Sequence, residues 1–148
     1  MLLQTASEKP FVSLALPGAN LVLSIATDRT MTLFDLRVPT SAVPATAPTS
    51  FIHPAMPSCI ALPTYPGSTT TSDAANQVVT GAYDGIVRIW DLRSTKSAIA
   101  TFDAFGSDRN KDSKKILDVD WNAERGVVGV GGEAGFVVWN FKEDVRSQ

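Results

Sequence analysis

The sequence holds very little of what builds disulfide frameworks, metal centres or polyanion-binding surfaces. Among 148 residues there is one cysteine, Cys59, and one histidine, His53. A lone cysteine cannot form an internal disulfide, so we predict that Cys59 is a small buried apolar residue in a chain from a reducing compartment. No metal-ligand spacing is present, and no metal site is predicted. The formal net charge of −2 offers no overall basic field to a nucleic acid.

Long apolar runs are absent as well. No stretch of about eighteen apolar residues is available to cross a membrane, and the first residues, Met-Leu-Leu, lack the basic start and apolar centre of a secretory signal. One local basic cluster, RNKDSKK at residues 109–115, contains Asp112 and directly follows Asp108. A solvated loop is its simple interpretation, and a phosphate contact is the alternative. We expect a soluble chain that binds no membrane.

What the sequence does contain is a hairpin signal at residues 78–91, VVTGAYDGIVRIWD. Two apolar, β-branched runs flank Asp84-Gly85, a dipeptide that favours a tight reversal between strands. The second run is apolar at both sets of alternate positions, so an extended strand would carry Val87 on one face and Trp90 on the other. We therefore predict that other parts of the fold cover both faces of this strand.

The same pattern occurs twice more, as VLSIATDRTMTLFD at residues 22–35 and VVGVGGEAGFVVWN at residues 127–140. Every copy has an acidic residue in its turn and an aromatic residue near its end. The acidic residues are Asp28, Asp84 and Glu133, and the aromatic residues are Phe34, Trp90 and Trp139. Further apolar runs precede the copies at residues 11–16, 59–62 and 116–121. A fourth run follows the first two copies, at residues 51–52 and 98–102, and nothing comparable follows the third.

Loops rich in Pro, Ser and Thr separate the copies at residues 36–50 and 63–76. Repeats of about fifty residues, each with four short antiparallel strands and a final aromatic-Asp pair, resemble the WD-repeat blade of a β-propeller. The resemblance implies an all-β fold with blades at residues 11–52, 58–103 and 115–141, and with residues 1–10 as the tail of a preceding blade.

The number of repeats carries a further expectation. A closed propeller needs about four to eight blades, so three blades cannot close by themselves. We expect these residues to form the C-terminal part of one larger WD-repeat propeller of about seven blades, or to be completed by other chains.

The WD-repeat resemblance also implies a structural set of hydrogen-bonding residues in the central blade. The family's pattern of His, Ser or Thr, turn Asp and third-strand Trp corresponds here to His53, Thr80, Asp84 and Trp90. Trp only donates, a hydroxyl donates and accepts, and a carboxylate accepts, so these groups can satisfy one another inside a sheet. The other copies depart from the pattern, because Phe34 has no donor and the third copy has Gly129 and Glu133.

Catalytic and cofactor-binding residues are not predicted. The turn acids recur once per blade, which indicates architecture, since catalysis needs a constellation in one place. Residues 129–134 fit G-x-G-x-x-A, yet the following FVVWNF has no helical period, so a dinucleotide site is rejected. We expect a non-enzymatic protein without a cofactor. The candidate interface residues beside the turns are Thr27, Arg29, Tyr83 and Glu133, with Tyr83 preferred because tyrosine can anchor a partner.

Two longer runs resemble one particular family. YDGIVRIWDLRSTK at residues 83–96 and KILDVDWN at residues 115–122 are similar to the C-terminal blades of the Ytm family. That family supplies the WD-repeat subunit of a trimeric complex with Pescadillo-type and Bop-type (Erb) partners. The resemblance implies a scaffold for large (60S) ribosomal subunit biogenesis and rRNA processing. It would dock directly on the Bop-type propeller and act on precursor large subunits in the nucleolus and nucleoplasm.

Members of this family also carry an N-terminal ubiquitin-like domain, which an AAA-type ATPase recognises and which these residues do not include. The run Trp90-Asp91-Leu92-Arg93 supports an alternative class of scaffold. It resembles the WDxR motif by which substrate receptors of cullin-type ubiquitin ligases contact their adaptor. A purely structural interpretation is that Arg93 caps the turn after the third strand. The sequence alone leaves these interpretations open.

Overall fold

The computed structural model describes residues 9–37, 49–65, 76–94, 96–106 and 114–141, which form β-strands and connecting turns. The strands are β1 (Phe11–Gly18), β2 (Leu21–Ala26), β3 (Thr30–Asp35), β4 (Thr49–Ile52), β5 (Pro57–Ala61), β6 (Pro63–Thr64), β7 (Gln77–Ala82), β8 (Ile86–Asp91), β9 (Ala100–Asp103), β10 (Ile116–Asn122), β11 (Val127–Gly132) and β12 (Gly135–Asn140). The all-β prediction is confirmed. Over the described ranges, no helix has the length and apolar character that crossing a membrane requires.

The strands form three four-stranded sheets that follow the three sequence copies. Sheet 1 has the order β1-β2-β3-β4, sheet 2 the order β5-β7-β8-β9, and sheet 3 the order β12-β11-β10-β6. Within the described residues, neighbouring strands of each sheet pair antiparallel, except that β6 and β10 pair in parallel. This architecture confirms the prediction of about three WD-type blades for the described residues.

Strand β6 differs from the sequence prediction, which places a loop at residues 63–76. Thr64 lies in the chain between β5 and β7, two strands of sheet 2, but it pairs with the free edge of β10 in sheet 3. Its Oγ1 donates to the carbonyl of Trp121 at 2.8 Å, and its own carbonyl accepts the N–H of Ala123 at 3.0 Å. Two residues are too few to show a strand period. The strand forms because unpaired backbone groups at a sheet edge need partners.

In sheets 1 and 2, the acidic residues hold the turns between the second and third strands. The carboxylate of Asp84 accepts the N–H of Ile86 at 3.0 Å, and Asp28 accepts the N–H of Thr30 at 2.9 Å. Gly85 has a φ of 80°, and a Cβ there would lie 2.9 Å from the Cβ of Lys114. Only glycine combines this backbone conformation with this close approach. The turn therefore has the Asp-Gly chemistry that the sequence predicts.

Sheet 2 lies between two separate apolar clusters. The cluster toward sheet 1 comprises Leu23, Ile25, Met31, Phe51, Val78 and Trp90. The cluster toward sheet 3 comprises Cys59, Ala61, Val79, Val87, Ala104, Ile116, Val119, Trp121, Val128 and Val130. Large apolar side chains each contribute about 1.5–3 kcal/mol on full burial. The predictions that both faces of β8 are covered and that Cys59 is buried are confirmed.

The close packing of sheets 2 and 3 depends on the small size of Gly81. A Cβ at Gly81 would strike the side chain of Ile116 and would lie 2.8 Å from the Sγ of Cys59. Contacts this short do not occur in a packed core, because neighbouring groups would have to shift. Gly81 is therefore required for space, and the inner strands of the two sheets meet at this point.

Candidate functional site

The predicted structural set in the central sheet contains a buried chain of three side chains. The indole Nε1–H of Trp90 donates to Thr80 Oγ1 at 2.9 Å, and Thr80 Oγ1 lies 3.0 Å from His53 Nε2. His53 Nδ1 lies 2.7 Å from the carbonyl oxygen of Ala55. The Ala55 N–H also lies 3.2 Å from Nδ1, but the contact to the carbonyl is shorter and a carbonyl can only accept. The shorter contact favours the tautomer with the proton on Nδ1, in which Nε2 accepts the Thr80 hydroxyl.

This assignment makes the chain run in one direction, from Trp90 through Thr80 to His53 and on to the backbone. His53 and Thr80 are fully buried. Burial lowers the pKa of His53 to about 4, the hydrogen bond to Ala55 opposes this shift, and the nearby Arg88 charge reinforces it. The imidazole is therefore neutral near pH 7. Both ring nitrogens of this neutral histidine are occupied by hydrogen bonds inside the sheet.

Asp84 lies outside this chain, which corrects the four-membered set implied by the WD-repeat resemblance. Its carboxylate accepts two hydrogen bonds from Arg88, at 2.6 Å from Nη2 and 3.2 Å from Nη1. Arg88 is almost fully buried, and a buried guanidinium requires a counter-charge. Burial opposes ionisation of Asp84, but the Arg88 and Ile86 hydrogen bonds outweigh it and lower the pKa of the carboxyl.

The first and third copies use other contacts. Ser24 in sheet 1 makes one long contact, 3.5 Å from its Oγ to the carbonyl of Thr32. Trp139 in sheet 3 donates its indole N–H to the carbonyl of Ala104 at 3.1 Å. Its ring also packs 5.1 Å from that of Phe102. Sheet 3 is thus joined to sheet 2 by aromatic packing and one hydrogen bond to the backbone, in place of the buried chain.

Two Asp-Leu-Arg units close the third strands of sheets 1 and 2 with the same geometry. Arg37 Nη2 lies 2.5 Å from Asp35, and Arg93 Nη2 lies 2.6 Å from Asp91. In each unit the same carboxylate also accepts the backbone N–H of the arginine. The side-chain hydrogen bonds from arginine lower the pKa of both Asp35 and Asp91 to about 2. Arg93 therefore caps its turn, as the structural interpretation of the WDxR run expects.

The four candidate interface residues lie on the turns between second and third strands. Tyr83 is 44% exposed, and the ammonium of Lys115 lies 5.5 Å from its ring centroid. Lys115 also pairs with Glu133 at 3.6 Å, so it joins the turns of sheets 2 and 3. In sheet 1, Arg29 donates to the carbonyl of Pro54 at 3.1 Å, and the N–H of Thr27 donates to the carbonyl of Pro10 at 3.0 Å.

The structure thus brings Tyr83 and Glu133 together and leaves Thr27 and Arg29 on a separate sheet. Sequence reasoning missed Lys115 as the link, because it grouped this residue with a charged loop. It also missed Arg88 as the partner of Asp84, although the pair flanks the turn at an i, i+4 spacing. The two turns that follow the third strands could have been predicted, because Asp-Leu-Arg occurs at residues 35–37 and again at residues 91–93.

The G-x-G-x-x-A run at residues 129–134 lies in β11 and the turn before β12. Among the described ranges, no group of three or more His, Cys, Asp or Glu side chains is arranged to hold a metal ion. What the arrangement supplies is a rigid stack of sheets with exposed turns at one end.

The architecture defines the class of protein, which is a WD-type β-propeller fragment. Raptor of Chaetomium thermophilum, whose crystal structure is known, has the same fold over 93% of this chain with a TM-score of 0.65. The identity is 12%, and the match covers 12% of the Raptor chain. At this identity the likeness concerns the fold alone.

Sequence comparison then indicates particular relatives, although no family model matches the chain. The chain is 49% identical over 143 residues to "Ribosome biogenesis protein YTM1" of Laccaria bicolor, covering 96% of this chain and 28% of that protein. The protein of the same name from Coprinopsis cinerea is 52% identical, covering 91% of this chain and 27% of the relative. These relatives confirm the resemblance to the Ytm family. The chain spans little more than a quarter of their length.

Proposed function

We propose that the chain is a blade segment of a non-catalytic WD-repeat scaffold in large ribosomal subunit biogenesis and rRNA processing. The observation that carries this proposal is the 49% identity across 96% of the chain to a protein named for ribosome biogenesis. The buried polar groups support it, since His53, Thr80 and Trp90 bond to one another inside sheet 2 and hold the sheet together. Binding in such a protein uses exposed turns and sheet faces.

The proposed partners follow from the family resemblance. The scaffold binds a Bop-type (Erb) WD-repeat protein directly, belongs to the same complex as a Pescadillo-type protein, and acts on precursor large subunits in the nucleolus and nucleoplasm. An AAA-type ATPase engages it only through an N-terminal domain outside these residues. Tyr83 supports an interface at the turn end, because a half-exposed tyrosine held by Lys115 is an ordered anchor.

The proposed architecture is a larger propeller to which these three sheets contribute. Sheets 1 and 2 carry an outer fourth strand, β4 and β9, whereas the outer edge of β12 has no paired strand among the described residues. An unpaired edge of this kind attracts another strand. We propose that a strand from elsewhere in the longer propeller pairs with β12 and that further blades cover the end sheets.

Affinity capture of the full-length protein tests the functional proposal. We expect Bop-type and Pescadillo-type proteins together with precursor large subunits. The matched variant Arg93→Ala removes the capping arginine, and we expect it to capture the same proteins, because Arg93 is bound to Asp91 within its own turn. Enrichment of a ubiquitin-ligase adaptor that is lost in Arg93→Ala, with no ribosomal precursors, would reject the proposal in favour of a ligase receptor.

A further inference from the structure

The face of sheet 3 that points away from sheet 2 has an unusual composition. The strand register places Asp118, Gly131 and Phe136 opposite one another, and it places Asp120, Gly129 and Val138 opposite one another in the next row. Residues opposite on neighbouring strands point to the same side of a sheet. We call these six residues the outer face of sheet 3. The alternate residues, including Val119, Val130 and Val137, pack toward sheet 2.

The outer face of sheet 3 carries both exposed apolar side chains and exposed carboxylates. Phe136 is 77% exposed and Val138 is 51% exposed. Asp118 and Asp120 are also exposed, and each accepts the N–H of the residue that follows it. Neither carboxylate forms an ion pair with a cation in the described part of the chain. Two large apolar side chains and two acids that pair with no cation of the described ranges therefore share one surface.

Between the acids and the apolar side chains runs a strip without side chains. A Cβ at Gly129 or Gly131 would meet nothing within 4 Å. Neighbouring strands lie about 4.8 Å apart, so the aspartates on β10 and the apolar side chains on β12 are separated by about 10 Å. The strip is a groove that one large side chain from a facing surface could fill. Asp118 and Asp120 are about 6.7 Å apart along β10, so one cation between them would reach both.

We propose that the outer face of sheet 3 binds a β-sheet from another part of the longer protein, and that this sheet presents an Arg or Lys between Asp118 and Asp120 and a large apolar side chain over Gly129 and Gly131. Covering the two carboxylates without a cation would be strongly unfavourable. The proposal rests on the propeller architecture proposed above and adds the chemistry of this one contact.

A second copy of the chain does not fit as the occupant. At the opposite end of the stack, one row of the sheet 1 register contains the exposed Leu14 and Ser50, the half-buried Thr32 and the buried Ser24. The neighbouring row pairs Val22 with Phe34. Neither row contains a cation, so head-to-tail stacking of two copies would bury both aspartates unpaired. The relatives are more than three times as long as the region they share with this chain, and that additional length can supply the facing sheet.

Charge variants of the full-length protein test the proposed cation. Asp118→Lys/Asp120→Lys should lower the thermal unfolding midpoint by roughly 5 °C or more, because lysines would face the partner's cation. Asp118→Asn/Asp120→Asn keeps an acceptor for the backbone N–H groups and should cause a smaller loss. Ser97→Lys, in the exposed segment before β9, is the control, with an expected shift within about 1 °C.

A labelling experiment separates the cation from the covering sheet. Phe136→Cys in the full-length protein should react slowly with a maleimide, whereas Arg125→Cys in the exposed turn should react fast. Protection of position 136 together with an Asn variant as stable as the parent would overturn the proposed cation and leave the covered face standing. Equally fast labelling at both positions would show an open face and would overturn the larger propeller as well.

Discussion

The hydroxyl of Thr80 joins two buried rings, those of Trp90 and His53. Within the described residues, no buried side-chain nitrogen or oxygen lacks a hydrogen-bond partner. The resemblance to WD repeats identified these three residues in advance because each has a fixed place in the repeat. It wrongly placed Asp84 in this hydrogen-bonded chain. Whether the Asp84 carboxylate binds His53 or Arg88 depends on which of these two buried groups carries a charge. A charged guanidinium binds a carboxylate more strongly than a neutral imidazole does.

We expect Asp84→Ala to lower the free energy of unfolding by about 1–3 kcal/mol, because it leaves the buried Arg88 without its counter-charge. Asp28→Ala is the matched control, since Asp28 holds the corresponding turn through the Thr30 N–H. Its loss should be about 0.5–1.5 kcal/mol. Urea unfolding measures both. The double variant Asp84→Ala/Arg88→Met should recover part of the loss, and an unchanged melting curve for Asp84→Ala would contradict this account.

His53 should make stability depend on pH between about 4 and 6.5, because its folded pKa is about 4 and its ordinary value is 6.5. In this window the unfolded chain binds the proton more readily, so stability is full above pH 6.5 and falls as the pH drops. The expected loss between pH 8 and pH 5.5 is about 1.4 kcal/mol. Urea unfolding at the two pH values measures it. His53→Gln should lack this component, and an equal slope in both proteins would exclude His53 as its source.

The hairpins could be predicted from the sequence because their determinants are local. Alternating apolar residues and the Asp84-Gly85 turn lie within residues 78–91, and the other two copies repeat the pattern. Strand β6 could not be predicted, because Pro63 and Thr64 acquire strand geometry only by pairing with a strand more than fifty residues away. The parallel strand therefore depends on tertiary structure alone.

Strand β6 ties the sheet 2 segment to sheet 3, and Thr64→Val should weaken this link. Valine keeps the shape of threonine but cannot donate to the Trp121 carbonyl, so we expect a loss of about 0.5–1.5 kcal/mol in the free energy of unfolding. Hydrogen exchange should also become faster at the amide of Ala123, which donates to Thr64. Thr101→Val, on the exposed outer strand β9, is the control. Equal exchange rates in the two variants would argue against the link.

The whole stack leaves an apolar face at each end. Leu14 and Leu16 are 62% and 67% exposed in sheet 1, and Phe136 is 77% exposed in sheet 3. Exposed apolar area on this scale is typical of surfaces that pack against something else. Repeat counting from the sequence predicted such open ends. The acidic character of the outer face of sheet 3 could not be foreseen, because it depends on which alternate residues of β10 point away from sheet 2.

Residues 1–148 expressed alone should therefore associate as their concentration rises. We expect sedimentation velocity to detect oligomers, and Leu16→Ser/Phe136→Ser should shift the distribution toward monomer by removing apolar area from both ends. Ile99→Ser, an exposed residue before the outer strand of sheet 2, is the control and should leave the distribution unchanged. A monodisperse monomer that unfolds cooperatively would contradict the proposal that these sheets belong to a larger propeller.

The crossing of Thr64 to β10 has a consequence for the order of events during synthesis. The Thr64 hydroxyl and the Trp121 carbonyl that it meets are 57 residues apart in the chain. At a translation rate of about 5–20 residues per second, Thr64 emerges from the ribosome roughly 3–11 s before its partner. Sheets 1 and 2 can each form from neighbouring hairpins as they appear. Strand β6 must wait for β10, so it should pair later than the strands of sheets 1 and 2 and report that β10 is in place.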